Sequence, residues 1–254
     1  MSESTAQRRT GDTVAIDGSY QYRALREGRA PQRFWHWAKL TEAKRLLRPQ
    51  AGDMMRAVGC GSGVLAAALS KTPGARVTGV DVNESAIGFA RSTFRRRNLD
   101  YRLGLVDELD LENESVDRIA FLEVIEHITE DQGLQVLRDF HRLLRPGARA
   151  VITTPNGLSP WPAIEWALDR LHLVPQLADE QHVKIYNRWS LGRLARQAGF
   201  EIAECRTINL VAPWSALVSW KLAKGIHRLE TAFSHPVGSI IVMALRKPEG
   251  NGEQ

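Results

Sequence analysis

A doubly wound α/β domain is predicted by three features of the chain. Short apolar, β-branched segments alternate with helical segments between residues 54 and 154. A glycine-rich turn, Gly59-Cys60-Gly61-Ser62-Gly63, joins the first such strand to a helix beginning Val64-Leu65-Ala66. Asp81 then closes the next apolar run, Val77-Thr78-Gly79-Val80, eighteen residues after Gly63. That order of strand, glycine turn, helix, strand and acid places an acidic side chain beside a helix N-terminus, the arrangement that suits a nucleotide-like ligand.

The elements follow in order. An aromatic-basic stretch, Arg33-Phe34-Trp35-His36-Trp37, leads into a helix over 38–47 that Pro49 and Gly52 terminate. Strands are expected at 54–58, 76–80, 101–103, 118–122 and 148–154, with helices at 63–71, 84–97 and 131–144 between them. Arg95-Arg96-Arg97 reads as the cationic end of the helix over 84–97. After Pro155 the character changes, because five of the seven tryptophans lie between Trp161 and Trp220. A helix at 189–198 and strands at 201–210 and 239–245 complete the sheet, while about 158–186 and 211–234 read as insertions. Residues 1–19 and 249–254 lack periodicity and read as flexible tails around one domain over 20–248.

At 254 residues, 43% hydrophobic and 25% charged, the chain suits one substantial domain and a small cap. No apolar run approaches the ~20 residues that span a bilayer, and residues 1–12 are polar, so a cytoplasmic location is expected. Two cysteines, Cys60 and Cys205, suggest neither a disulfide framework nor a cysteine metal site. The net charge of +5 admits anionic partners.

The glycine spacing is G-x-G-x-G, and no Gly-Lys-Ser/Thr follows to hold a triphosphate, which points to a cofactor with little or no phosphate. Asp81 is placed to accept the hydroxyls of a ribose, and Asn83 serves as the cap of the helix behind it. Together with Leu122-Glu123-Val124-Ile125-Glu126-His127-Ile128 and Leu143-Leu144-Arg145-Pro146-Gly147, these stretches resemble the successive motifs of class I S-adenosylmethionine-dependent methyltransferases. The nearest motifs are those of the ubiquinone-biosynthesis O-methyltransferases, and the resemblance covers roughly residues 30 to 205.

That resemblance implies a Rossmann-like seven-stranded mixed sheet with its last strand antiparallel, a helical substrate cap, and S-adenosyl-L-methionine as cofactor. It assigns cofactor contacts to Gly59, Cys60, Gly61, Gly63, Asp81, Val82 against the adenine face, and Leu122 near the sulfur. Arg33 would salt-bridge the cofactor carboxylate, as an arginine does in the ubiquinone-pathway enzymes. Two positions depart from the family. Ala57 stands where an acid usually helps hold the methionine amino group, and Leu105 where an aspartate often meets the adenine, with Asp107 or a backbone carbonyl as its substitute if the loop is one or two residues out of frame.

Glu123, Glu126 and His127 begin at the carboxyl end of the fourth strand, where open α/β sheets put their reacting groups. A helical turn there brings all three to one face as candidate catalytic groups. They are also candidate ligands for Mg²⁺, Mn²⁺ or Zn²⁺, with His182 as a fourth. A similar element binds metal in the ubiquinone-pathway enzymes and in small-RNA 3′-terminal 2′-O-methyltransferases. Equivalent strings occur in metal-free methyltransferases, where His127 would act as general base or fix the loop.

On the substrate side, Trp214, Val218, Leu222, Ile226 and Leu229 recur at helical spacing, and Trp161, Ile164, Leu168 and Leu171 give a second apolar helix. Either these form a cap packed on the core with a basic exterior, or an interfacial helix at a membrane surface. Both accounts suit a small, rather apolar acceptor, such as a quinone precursor or lipid, methylated on oxygen. RNA is the competing acceptor, disfavoured because the basic residues are scattered. A non-catalytic S-adenosylmethionine-binding protein is the other alternative, motivated by Ala57 and Leu105.

Overall fold

The computed structural model describes residues 17–105, 112–160, 183–233 and 235–249. In chain order its elements are α1 (Tyr20–Arg26), α2 (Ala30–Leu47), β1 (Met54–Val58), α3 (Val64–Leu69), β2 (Arg76–Asp81), α4 (Glu84–Thr93), β3 (Leu99–Leu103) and β4 (Val116–Leu122). A 3₁₀ turn at Ile125–His127 follows, then α5 (Glu130–Leu143), β5 (Leu144–Pro155), α6 (Arg188–Gln197), β6 (Glu201–Ile208), α7 (Ala212–Ser215), α8 (Trp220–Ala232) and β7 (Ile240–Arg246).

Seven strands form one sheet in the order β3-β2-β1-β4-β5-β7-β6. β1 is parallel to β2 and β4, and only β7 runs against its neighbours, pairing Val242 with Thr153 of β5 and with Arg206 of β6. This is the Rossmann-like mixed sheet that the sequence predicts. Central strands covered on both faces need apolar runs rather than alternation. Phe121 and Ala120 of β4 accordingly bury into opposite faces, beneath α5 and α6 on one side and beneath α2 and α3 on the other.

Local sequence sets the boundaries. Thr129 and Gln132 close a capping box that starts α5, and Asn187 and Ser190 close another that starts α6. Asn83 caps α4, its side chain accepting the N–H of Ala86 at 3.1 Å. Gly79 leaves room beside β2 for the ring of Tyr101, since a Cβ there would lie 2.7 Å from Cδ1 of that ring. The Tyr101 hydroxyl then donates to the carbonyl of Gly63 at 3.1 Å, fixing the end of the glycine turn to β3.

Three expectations are corrected. α2 begins at Ala30 rather than 38, with Pro31 in its first turn, so the aromatic-basic stretch is helical. α4 ends at Thr93, and Arg95-Arg96-Arg97 lies beyond it, with Arg96 bridging to Leu99. The helical surface expected of Trp214, Val218, Leu222, Ile226 and Leu229 is broken by a bend at 216–219 and faces outward, apart from half-buried Ile226. What α8 turns inward is Trp220, Ala223 and His227, packed on Phe34 and Trp37 of α2. His227 also approaches the Glu42 carboxylate, its Nε2 at 3.4 Å, and Arg45 holds that carboxylate at 2.7 Å. The segment containing Trp161, Ile164, Leu168 and Leu171 lies outside the described residues.

Among the described residues no helix is long and apolar enough to cross a membrane.

Candidate functional site

The glycine turn stands at the carboxyl end of β1. Gly59, Gly61 and Gly63 all have positive φ, at 62°, 49° and 78°. A Cβ on Gly59 would lie 2.2 Å from Cγ2 of Val124, so the backbone there runs hard against the loop after β4. Gly63 precedes the first residue of α3, whose N-terminal N–H groups face the turn. Cys60 sits buried at its centre, and burial, reinforced by the Asp81 charge, pushes its thiol well above the usual range. Cys60 therefore stays a neutral thiol.

Asp81, at the end of β2, accepts the N–H of Gly61 through Oδ2 at 2.7 Å and that of Asn83 through Oδ1 at 2.8 Å. The carboxylate is half-buried, so each oxygen keeps a lone pair for a further donor. Val82 follows it with an exposed side chain, and Leu122 is buried at the end of β4. Asp107 lies outside the described residues, and Leu105 is half-buried without any carboxylate of its own.

A small cavity of about 20 Å³ opens against this turn, lined among others by Gly59, Cys60 and Leu122 below and by Gln21, His36 and Lys39 above. The amide of Gln21 approaches Gly61 so closely that a Cβ there would lie 2.9 Å from Oε1. α1 is thus laid over the turn, with Gly18 N–H on Ser85 Oγ at 3.0 Å and Tyr22 against Phe89 and Phe94. Burial, with a smaller push from the Lys39 charge, lowers His36 from its ordinary value to about 3, so this imidazole is neutral at pH 7.

Sequence reasoning missed Gln21, His36 and Lys39. A lone cation inside Trp37-Ala38-Lys39-Leu40 was the available signal, since a buried lysine needs a partner. Arg33, the residue that the resemblance assigns to the cofactor carboxylate, points elsewhere. Its Nε donates to the Leu25 carbonyl at 3.4 Å, its guanidinium lies 5.8 Å from the Trp220 ring, and it does not line the cavity. Ala57 does line the cavity and is buried, leaving the end of β1 without a carboxylate.

At the end of β4 the chain turns sharply. Glu123 has a φ of 55°, a strained value for a residue with a Cβ, of the kind that clusters at functional sites. Its backbone N–H reaches the Thr153 carbonyl at 3.0 Å, its Oε1 accepts from the Thr153 hydroxyl at 2.7 Å, and its Oε2 lies 3.7 Å from Lys39 Nζ. Glu126 is fully buried on the Thr154 hydroxyl at 3.0 Å. Burial, and then the nearby charge of Glu123, raise it well above the ordinary carboxylate value. The two acids therefore divide, Glu123 as the partner of Lys39 and Glu126 as the one that keeps a proton.

His127 ends the 3₁₀ turn, half-buried, with its backbone N–H on the Val124 carbonyl at 3.0 Å. Among the described residues no three His, Cys, Asp or Glu side chains are grouped to hold a metal ion. The convergence of Glu123, Glu126 and His127 expected from helical spacing does not form, because a short tight turn replaces the helix and the two carboxylates engage different threonines. His182 lies outside the described residues.

Residues 57–152 match the family model described as "Methyltransferase domain". A probable S-adenosylmethionine-dependent methyltransferase of Mycolicibacterium smegmatis, so named, is 30% identical over 177 residues, covering 70% of this chain and 63% of that protein. The ubiquinone biosynthesis O-methyltransferase of Thiobacillus denitrificans is 30% identical over 161 residues, covering 61% of this chain and 68% of that protein. The chain belongs to the S-adenosylmethionine-dependent methyltransferases. It spans less than two thirds of the length of the Mycolicibacterium relative. A solved methyltransferase, in complex with the Haloferax volcanii Trm112 activator, shares the fold at a TM-score of 0.64 with 17% identity, covering 93% of this chain and 96% of that one.

The residues at the turn fit the cofactor that this family implies. A turn with three positive-φ glycines, a half-buried carboxylate at Asp81 and a buried cation at Lys39 suit a ligand with a sugar diol at one end and an amino acid at the other.

Proposed function

We propose that this chain transfers a methyl group from S-adenosylmethionine to an oxygen of a small, rather apolar acceptor, of the quinone-precursor or lipid type. The observation that carries the cofactor half of this reading is the Asp81 carboxylate fastened to the Gly61 N–H, and the similarity to the ubiquinone biosynthesis O-methyltransferase of Thiobacillus denitrificans supports the acceptor half.

When bound, the cofactor supplies an activated methyl group on a sulfonium. Asp81 would hold its ribose, Val82 would lie on its adenine, and the backbone of Gly59, Cys60 and Gly61 would flank its amino-acid part with Leu122 alongside. Lys39 takes the place expected of Arg33 as partner of the cofactor carboxylate, because it is buried at the cavity whereas Arg33 faces Trp220.

Methyl transfer to oxygen needs alignment of the acceptor and removal of its proton. Glu123, held at the end of β4 by Thr153, is the candidate base. Glu126, kept protonated by burial, can donate a hydrogen bond without adding a second negative charge, and His127 is the alternative base at the end of the same turn.

Ala57 favours a second reading, a protein that binds the cofactor and does not turn it over. Incubation of the protein with methyl-labelled S-adenosylmethionine and a metabolite extract separates the two. Label in an ether-extractable product, lowered about 10²-fold in rate by Glu123→Gln without loss of cofactor affinity, supports the enzyme. Cofactor binding with no labelled product in any extract fraction supports the second.

A further inference from the structure

The segment from Val211 to Leu229 contains no acidic residue, three cations and a run of apolar side chains that the fold leaves in solvent. At the bend between α7 and α8, Leu217 is 66% exposed and Val218 81%, with Trp214, Val211 and Leu222 exposed beside them. Isolated exposed apolar residues are ordinary, but five gathered around one bend are not.

The bend is also closed by hydrogen bonds and anchored by buried side chains. Glu230 accepts the N–H groups of Val211 and Ala212 at 2.6 and 2.9 Å, and buried Ala212, Ala216, Ala223 and His227 anchor both helices. The N–H groups of Leu217, Val218 and Ser219 all bond inside the bend, to Trp214 and Ser215 carbonyls at 3.1 Å, and the Ser219 hydroxyl caps α8. Inserting this tip into an apolar medium would therefore strand none of those three backbone donors.

Lys221, Lys224 and Arg228, at spacings of three and four, form one cationic stripe along α8 beside the apolar tip. The Lys224 ammonium lies 5.3 Å from the Trp37 ring, so the stripe is held against α2, the helix that carries His36 and Lys39 to the cavity.

We propose that this bend docks the protein on a lipid bilayer bearing anionic headgroups, with Leu217 and Val218 at the acyl boundary and Lys221 and Arg228 among the phosphates. An apolar tip flanked by cations and a tryptophan is the pattern that partitions to such an interface. A second copy of the chain fits less well, since a symmetric contact would bring one cationic stripe against the other without an acid in the segment. The proposal goes beyond the choice of acceptor and does not depend on turnover.

Sedimentation of the full chain with phosphatidylcholine vesicles, with and without phosphatidylglycerol, tests it. Binding to the anionic vesicles is expected, with weak binding to phosphatidylcholine alone. Leu217→Asp combined with Val218→Asp should abolish it, and Lys221→Glu combined with Arg228→Glu should weaken it by roughly 25-fold or more. Unchanged melting temperature and unchanged S-adenosylhomocysteine affinity in both variants assign the loss to the surface. A wild type that stays in the supernatant with anionic vesicles overturns the proposal. So does a Leu217→Asp, Val218→Asp variant that binds them as the wild type does, or a wild-type dimer that masks the tip and that this variant dissociates.

Discussion

Asp81 and Gly61 are joined by a 2.7 Å hydrogen bond from a backbone N–H to a carboxylate, and that bond ties the tip of β2 to the glycine turn after β1. Its neighbour, from the Asn83 N–H at 2.8 Å, fixes the other oxygen of the same group. The carboxylate is thus oriented before any ligand arrives, which is how a diol can be bound without an ordering cost.

Replacing that acceptor by an amide turns one oxygen into a donor facing a donor. Asp81→Asn is expected to weaken S-adenosylhomocysteine binding by about 10- to 100-fold, the equivalent of one charged hydrogen bond. Equilibrium dialysis of the variant against the wild type measures it, and an affinity within twofold would remove Asp81 from the site.

Gly59→Ala should be destabilising for two separable reasons. The φ of 62° is unfavourable for any residue with a Cβ, and the new methyl would meet Val124 at 2.2 Å. Together these amount to about 3 kcal/mol. Val124→Ala in the same chain should recover only the steric share, so urea melts of the single and double variants should differ by about 1–2 kcal/mol. Identical stabilities would mean that the turn relaxes.

Lys39 and Arg33 make opposite forecasts. Lys39→Met, which keeps the buried stem, should lower cofactor affinity by about tenfold or more, and Lys39→Arg should restore part of it. Arg33→Met should leave affinity unchanged. The reverse pattern in calorimetric titration would return the carboxylate to Arg33.

His36 gives the fold a pH dependence with a definite sign. Its value of about 3 in the folded protein lies below the ordinary 6.5, so the unfolded chain binds the extra proton and stability falls as pH drops through 6.5. Between pH 7.5 and pH 5 the loss is about 2 kcal/mol from this group. Glu126, raised in the fold, works in the opposite direction, because it favours the folded state as acid is added. Comparing the pH slope of stability in His36→Gln with that of the wild type isolates the histidine, and equal slopes would refute the assignment.

Much of the sheet was legible because β2, β4, β5 and β7 are largely buried apolar runs, bounded by marked residues such as Gly59 and Asp81. The start of α2 was not. Phe34, His36, Ala38, Lys39, Glu42 and Ala43 are all buried, so the helix packs against neighbours around much of its girth and shows no amphipathic stripe to read. Pro31 was the one local sign of its beginning. The orientation of α8 was illegible for a related reason. The packing of Trp220, Ala223 and His227 on Phe34 and Trp37, across a chain separation that periodicity cannot span, decides which face of α8 turns inward. At the end of β4 the spacing of Glu123, Glu126 and His127 suggested convergence, whereas the positive φ of Glu123 and the short turn after it send the carboxylates to different threonines.

The turn at Gly59 to Gly63, with Asp81 and Lys39, is the proposed seat of S-adenosylmethionine. Calorimetric titration of the purified protein with S-adenosylmethionine, repeated with Asp81→Ala, tests it most directly. Micromolar, one-to-one binding that the substitution abolishes is the expected result. A folded wild type that takes up no cofactor, or an Asp81→Ala variant that binds it equally well, would contradict the claim.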